Sequence, residues 1–217
     1  MSFKTNAVPN EVIDLLLNVR PIIGKIGGVY LAGGTALSLF LGHRISIDLD
    51  FFTPNDFLAA PLSEALNQLG PYVPIDVKNN SLVCKVKEVQ FSLFKYGYPL
   101  LCPFEFYSNI SIASLRDIAA MKIGAIGDRG ARKDFYDLYA ILNYTSIKIE
   151  NILKDVCTKF SIPKDSLYHY IKALAFFEDS RKEPDIQPLV KLDVKWEDIE
   201  LFFSKLATTL IPRSFPH

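Results

Sequence analysis

The residues best suited to chemistry in this chain fall in one short run, Ser46-Ile47-Asp48-Leu49-Asp50-Phe51-Phe52. Apolar and polar side chains alternate along it. The alternation predicts a strand with Ile47, Leu49 and Phe51 on one face and Asp48 and Asp50 on the other. Two residues of strand advance roughly 6.6 Å, so the two carboxylates can flank one or two divalent cations. Without a cation, two like charges on a half-buried face repel and one is driven to take up a proton. Mg2+ relieves that repulsion and leans on substrate phosphates as well. Taken alone, an Asp-x-Asp pair is more often just the solvent face of an ordinary strand.

An upstream partner changes the weighing. Ala32-Gly33-Gly34-Thr35 lies between a strand expected near Val29 to Leu31 and a short helix expected over Thr35 to Leu41. Glycines there let the backbone approach a ligand closely, the helix N-terminus offers free N–H groups to phosphate, and Thr35 adds a hydroxyl. Together with Asp48, fourteen residues after Gly34, the turn makes a coherent site for phosphate and metal. His43 and Arg44 stand between turn and strand. They read either as a polar turn or as cations facing phosphate, and Arg44 is the better phosphate partner because its planar fork matches the oxygens.

A second set of charges falls in helical sequence. Lys122 lies in a helix whose other face carries Ile118, Met121 and Ala125, so by itself it reads as a solvated lysine; Arg129 extends the same face if the helix continues through Gly127. Asp134 and Asp137, three apart, share a helix face and can orient Lys122 or Arg132 or stand in solvent. Ser114-x-x-Asp117 has the form of a capping box, so Asp117 is assigned to a helix start rather than to chemistry.

The elements that must position these groups change character along the chain. Helices are expected over Asn10 to Val19, ended by Pro21, and around Leu62 to Leu69. A hairpin is expected from Ser81 to Val86 and Val89 to Tyr96, with a short strand at Ile110 to Ile112. From Ser114 onward the pattern is helical: Ser114 to Ile126, Arg132 to Asn143, Ile149 to Phe160, Lys164 to Phe177 and Trp196 to Leu206, with Asp179 to Lys195 as a connection. The fold class is therefore α+β, with an αβ domain over residues 1–113 and a helical domain over 114–217 packed against it. Phe51, Phe52, Phe91 and Phe94 are assigned to the core rather than to a base-stacking surface.

Of the 217 residues, 49% are apolar and 22% charged, ordinary globular usage that argues against disorder. Lys plus Arg and Asp plus Glu number 24 each, so no global positive field draws in nucleic acid and any such binding needs a local patch. Cys84, Cys102 and Cys157 form no Cys-x-x-Cys pair and read as small core residues of a reduced protein. No run approaches the roughly 18 apolar residues of a membrane span. The opening MSFKTNAVPN lacks the charged start and apolar run of a secretory signal. The expectation is a soluble cytoplasmic protein without a membrane partner.

Two blocks, in their order and separation, make the chain resemble the AbiEii/AbiGii-type toxin family of the nucleotidyltransferase (DNA polymerase β-like) superfamily. The first is Leu31-Ala32-Gly33-Gly34-Thr35-Ala36-Leu37, then Gly42-His43-Arg44, then Asp48-Leu49-Asp50-Phe51-Phe52. The second is Ser114 to Lys122 followed by Arg132-Lys133-Asp134-Phe135-Tyr136-Asp137-Leu138-Tyr139. The resemblance implies a nucleotidyltransferase-like mixed twisted sheet with flanking helices. It implies Mg2+ on Asp48 and Asp50, and an NTP held by Gly33, Gly34 and Thr35. It also implies transfer of a nucleoside monophosphate to an acceptor, often RNA, by a toxin paired with an antitoxin protein. By the same likeness Lys122 contacts nucleotide phosphate, and Asp134 and Asp137 belong to a further acidic motif.

One position departs from the pattern. The superfamily commonly supplies a third carboxylate from a later strand, and Val89 to Tyr96 offers Ser92 there. A hydroxyl is a poor Mg2+ ligand and no base near neutral pH. Glu88 is four residues away, roughly 13 Å along the strand, and Asp76 belongs to an element the sequence does not place. Two further readings therefore stand beside a toxin enzyme: a catalytically impaired member that binds nucleotide or its antitoxin, and a small-molecule nucleotidylyltransferase.

Overall fold

Val12, Leu15, Leu16 and Val19 recur at helical spacing, and in the computed structural model they form the buried stripe of helix α1 (Asn10–Ile23). The structure describes residues 3–186 and 194–214. Helix α1 does not stop before Pro21 but carries it in the last turn. The chain forms two units, one of residues 1–99 and 103–114, the other of residues 100–102 and 115–217.

The first unit is built on one mixed sheet. Its elements are β1 (Tyr30–Ala32), α2 (Gly33–Leu41), β2 (Leu49–Thr53), α3 (Ala59–Asn67), β3 (Tyr72–Lys78), β4 (Ser81–Val86), β5 (Val89–Lys95), β6 (Glu105–Tyr107) and β7 (Ile110–Ile112). The strand order is β3-β4-β5-β2-β1-β7-β6. β2 runs parallel to β5 and β1 parallel to β7, and the other neighbours are antiparallel. Leu31, Leu49, Phe51, Leu82, Cys84, Phe91 and Leu93 supply the core face and are fully buried. Burial pushes the Cys84 thiol up to about 11, in keeping with an inert core residue.

Three differences from the sequence reading have physical causes. β2 begins at Leu49, so Asp48 precedes the strand, and Ile47 stands in solvent at 59% exposure instead of sharing the core face with Leu49 and Phe51. β3 is an additional strand disguised by Pro71 and Pro74; it lies at the edge of the sheet, where a missing N–H is tolerated, and its register shifts between Pro74 and Asp76. The three-residue β6 is too short to show a period and is closed onto β7 by Ser108 and Asn109, both at positive φ.

The second unit is helical: α4 (Leu115–Asp128), α5 (Arg132–Tyr144), α6 (Ile149–Phe160), α7 (Leu167–Ala173) and α8 (Trp196–Ser214). α4 is the hub, packing on α5, α6 and α7 through Ile118, Ala119, Ala120, Ile123 and Ile126. The single helix expected over Lys164 to Phe177 is a 3-10 turn at Lys164–Ser166 followed by the short α7, and residues 187–193 of the expected connection lie outside the described residues. No helix among the described residues is long and apolar enough to cross a membrane.

Candidate active site

Asp50 lies on β2, the middle strand of the seven. In β1–β2 pairing it stands opposite Ala32, and in β2–β5 pairing opposite Ser92. Where the chain leaves β1 for α2, Gly33 sits at φ +69, and a Cβ there would lie 2.8 Å from Asp50 Oδ2. Glycine is needed twice over, once for the backbone conformation and once because the carboxylate fills the space. Asp50 thus rests against the first residue of α2, where the helix end carries partial positive charge.

The segment joining α2 to β2 is fastened by small hydroxyls. Thr35 is buried and its hydroxyl contacts both Ser46 Oγ, at 2.9 Å, and the Asp48 carbonyl oxygen. Ser38 Oγ donates to the Arg44 carbonyl at 3.0 Å. Arg44 is 7% exposed, donates from its guanidinium to the Ile45 carbonyl at 3.1 Å, and lies over Gly34. A Cβ on Gly34 would come within 3.0 Å of Ser46 Oγ and 3.2 Å of Arg44 Cζ. Thr35, expected to offer its hydroxyl to phosphate, holds the Asp48 end of the loop, and Arg44, expected to face phosphate, has its guanidinium against the Gly34 turn. Ser38 and Ser46 escaped the sequence reading because nothing but their small size and hydroxyl marks them.

Ser92 occupies the position beside Asp50 that the sequence assigned to it. It is 2% exposed and donates its hydroxyl hydrogen to Asp50 Oδ1 at 2.6 Å. The two other acids weighed for that place are elsewhere. Glu88 forms the β4–β5 turn at φ +68. Asp76 shares Ser92's transverse row through Val83, three strand spacings and roughly 14 Å from Asp50. It is bound there by Lys78 at 2.7 Å and Ser81 at 3.1 Å.

Lys122, Arg129, Asp134 and Asp137 of the helical unit form one ion-paired cluster. Lys122 is 5% exposed, and its ammonium lies 2.8 Å from Asp134 Oδ1 and 2.5 Å from Asp137 Oδ2, both residues being fully buried. Arg129 reaches Asp134 Oδ2 at 2.9 Å. Burial alone would push the Asp134 carboxyl up, but Lys122 and Arg129 outweigh it and hold the group below the usual carboxylate range. Of the three sequence alternatives, Asp134 and Asp137 therefore take the one that orients Lys122. Arg132 turns away to the Ser180 carbonyl at 2.9 Å and the Asp185 carboxylate. Asp117, in the first turn of α4, accepts from the Leu101 N–H at 2.9 Å and pairs with Lys159 at 2.8 Å, neither side chain reaching solvent. Lys159 went unread in the sequence, since a lysine is almost never wholly buried unless paired.

Among the described residues no group of three His, Cys, Asp or Glu side chains is arranged to hold a metal ion. Asp48 and Asp50 would offer oxygen donors only, which suits Mg2+ where substrate phosphate completes the coordination. Asp50 also fits on charge: half-exposed, it receives a neutral hydroxyl and forms no ion pair among the described residues.

The model of the nucleotidyl transferase AbiEii toxin of type IV toxin–antitoxin systems matches residues 24–100 and 95–199. An uncharacterized protein of Aquifex aeolicus strain VF5 is 35% identical over 189 residues, covering 84% of this chain and 88% of its own. A crystal structure from Helicobacter pylori superposes with TM-score 0.53 at 17% identity, covering 95% of this chain and 94% of the other. The nucleotidyltransferase toxin MenT4 from Mycobacterium tuberculosis gives 0.50 at 14% identity, covering 95% and 88%. ANT(2")-Ia in complex with adenylyl-2"-tobramycin gives 0.52 at 12% identity, covering 69% and 97%. At such identities the structures speak for the fold alone, a nucleotidyltransferase-like sheet with flanking helices; the family-model match shows that the chain belongs to the AbiEii nucleotidyl transferase toxin family.

Proposed function

We propose that the chain is an Mg2+-dependent transferase that moves a nucleoside monophosphate from an NTP to a hydroxyl of an RNA acceptor, acting in the cytoplasm as the toxin opposite an antitoxin protein. One observation carries this reading: the Asp50 carboxylate lies against Gly33 at the head of α2, so acid, open backbone and helix N-terminus converge on one point. Gly33 gives the triphosphate close access to the backbone, Gly34 lets the Arg44 guanidinium lie against the turn, and the α2 N-terminus offsets the phosphate charge. Thr35 holds the Asp48 end of the acidic segment, and Ser92 holds Asp50. Bound to Asp48 and Asp50, Mg2+ would supply Lewis-acid stabilisation of the phosphate charge. The acceptor hydroxyl oxygen bonds to the α-phosphorus, the bond to pyrophosphate breaks, and the hydroxyl proton passes to solvent water. Lys122, with its ammonium committed to Asp134 and Asp137, is given a positioning role within the helical unit.

The test is incubation with each labelled NTP, Mg2+ and total cellular RNA, with the Asp48→Ala/Asp50→Ala double variant as control. Label on an RNA class that vanishes with the variant supports the reading. NTP and Mg2+ raising the melting temperature with no label on any RNA would move the assignment to the binding-only member, for which Ser92 is the specific motive. Label appearing only on small molecules would move it to small-molecule nucleotidylation.

A further inference from the structure

The polar face of the sheet has a second row beside the acidic one. Asp50 and Phe52 are alternate residues of β2, and Ser92 and Phe94 alternate residues of β5, so all four share a face. The transverse row Val83–Ser92–Asp50–Ala32 is followed, one pleat or roughly 7 Å further on, by Ser81–Phe94–Phe52–Tyr30. Tyr30 and Phe52 lie with ring centroids 6.0 Å apart and planes at 29°, and Phe52 and Phe94 are 6.1 Å apart. Tyr96 meets Phe52 at 5.2 Å and Tyr98 meets Tyr96 at 4.9 Å, which carries the rings outward to a residue 45% exposed. Phe51 and Phe91, on the opposite face, are wholly buried; Tyr30, at 2% exposure and 5.3 Å from the Phe104 ring, closes the inner end of the row, whereas Phe52, Phe94 and Tyr96 keep contact with solvent. The sequence assigned Phe52 and Phe94 to the core along with Phe51 and Phe91; the structure divides the four between two faces.

We infer that the solvent-contacting rings of Phe52, Phe94, Tyr96 and Tyr98 are a stacking platform for the unpaired bases of a single-stranded RNA acceptor, an inference that rests on the nucleotidyl transfer proposed above. In phosphoryl-type transfer the attacking and leaving oxygens stand in line across phosphorus. With pyrophosphate at Gly33 the acceptor enters from the opposite side of the phosphorus, and the row is the next set of side chains beyond Asp50 in the direction away from Gly33. Rings at that distance take the bases next to the reacting hydroxyl. Stacking is tolerant of base identity and is worth on the order of tenfold in affinity per base. It is also the form of RNA binding open to a chain with equal numbers of acidic and basic residues, which has no global field to attract phosphate. A duplex hides its base faces, so the platform selects single strands.

The experiment is fluorescence anisotropy of a labelled single-stranded RNA of about ten nucleotides, without NTP, on the full chain. Tyr98→Ala removes a surface ring, and Phe94→Leu removes a second with little change of volume. Each is expected to weaken RNA binding on the order of tenfold, and the double variant on the order of a hundredfold, with NTP affinity unchanged. Tyr98→Ala keeps the test valid if Phe94→Leu disturbs packing. Unchanged RNA affinity in Tyr98→Ala and the double variant overturns the inference. So does equal binding of duplex RNA, or a loss of NTP affinity instead, which would make the row a donor-base site. A parent that transfers no label but whose RNA affinity falls in these variants removes the transfer reading and keeps the platform. Transfer with unaltered RNA affinity does the reverse.

Discussion

Asp48–Asp50 in the sheet unit and Asp134–Asp137 in the helical unit each place two acids a short step apart in sequence, and the chain treats Asp50 and the helical pair in opposite ways. The helical pair is removed from solvent entirely and given Lys122 between its two members, with Arg129 on Asp134 as well. In the sheet, Asp50 is left half-exposed beside a hydroxyl and a glycine backbone. Buried charge must be compensated from within the protein; half-exposed charge at a helix head leaves compensation to what binds. The spacing of acids in a sequence therefore says less about their use than the cations folded around them.

The largest effect separating the two regions is expected on activity. Asp50→Ala should lower nucleotide transfer by about a thousandfold while the melting temperature stays level or rises. Lys122→Met should do the converse. It strands two buried carboxylates at a cost of about 3–5 kcal/mol, lowering the melting temperature by on the order of 10 °C. An Asp50→Ala protein that melts early, or a Lys122→Met protein that melts normally but cannot transfer, would invert the comparison.

Acid sharpens it further. Because the Asp134 carboxyl is held below its ordinary value, the folded protein gives up its proton more readily than the unfolded chain does. Its contribution to stability is complete above the ordinary carboxylate range and disappears as pH falls through the folded value. The Asp134→Asn variant should accordingly be less stable than the parent at neutral pH, and chemical denaturation at stepped pH should show the gap closing below about pH 4.

Gly33→Ala should act on the sheet region alone. The left-handed backbone and the 2.8 Å approach to Asp50 Oδ2 together displace the carboxylate. Strain of roughly 1–3 kcal/mol should appear in melting, together with a larger proportional loss of transfer. An alanine variant with unimpaired transfer would show that Asp50 need not sit against the helix head.

Much of this architecture was legible because hydrophobic period and turn residues declare themselves locally. The β4–β5 hairpin, β7 and α6 fall where the periodicity puts them, and Gly33–Gly34 followed by Asp48 and Asp50 marked the turn that the structure brings against Asp50. What stayed hidden depends on partners distant in sequence. Edge position, which excuses Pro74 in β3, is a property of the whole sheet. The choice of Lys122 rather than Arg132 as partner of Asp134 and Asp137 follows from how α4 packs on α5. The two faces of the aromatic strands were in the alternation itself, yet their exposure was not, since it depends on what else covers each face.

Ser92 gives the smallest expected effect and the finest test of the sheet region. Its hydroxyl donates to Asp50 Oδ1 at 2.6 Å, so Ser92→Ala removes one hydrogen bond and should cost about 1 kcal/mol, read as a severalfold fall in transfer with little change in melting. Ser92→Asp asks the sharper question, because it sets a second carboxylate in register with Asp50 on the neighbouring strand. Two like charges there repel and one must protonate or be screened. In EDTA this variant should melt below the parent, and Mg2+ should raise its melting temperature by more than it raises the parent's. An equal response of the two proteins to Mg2+ would mean that the ion does not sit beside Asp50, and the contrast between a pair compensated from within and an Asp50 compensated by what binds would lose its second half.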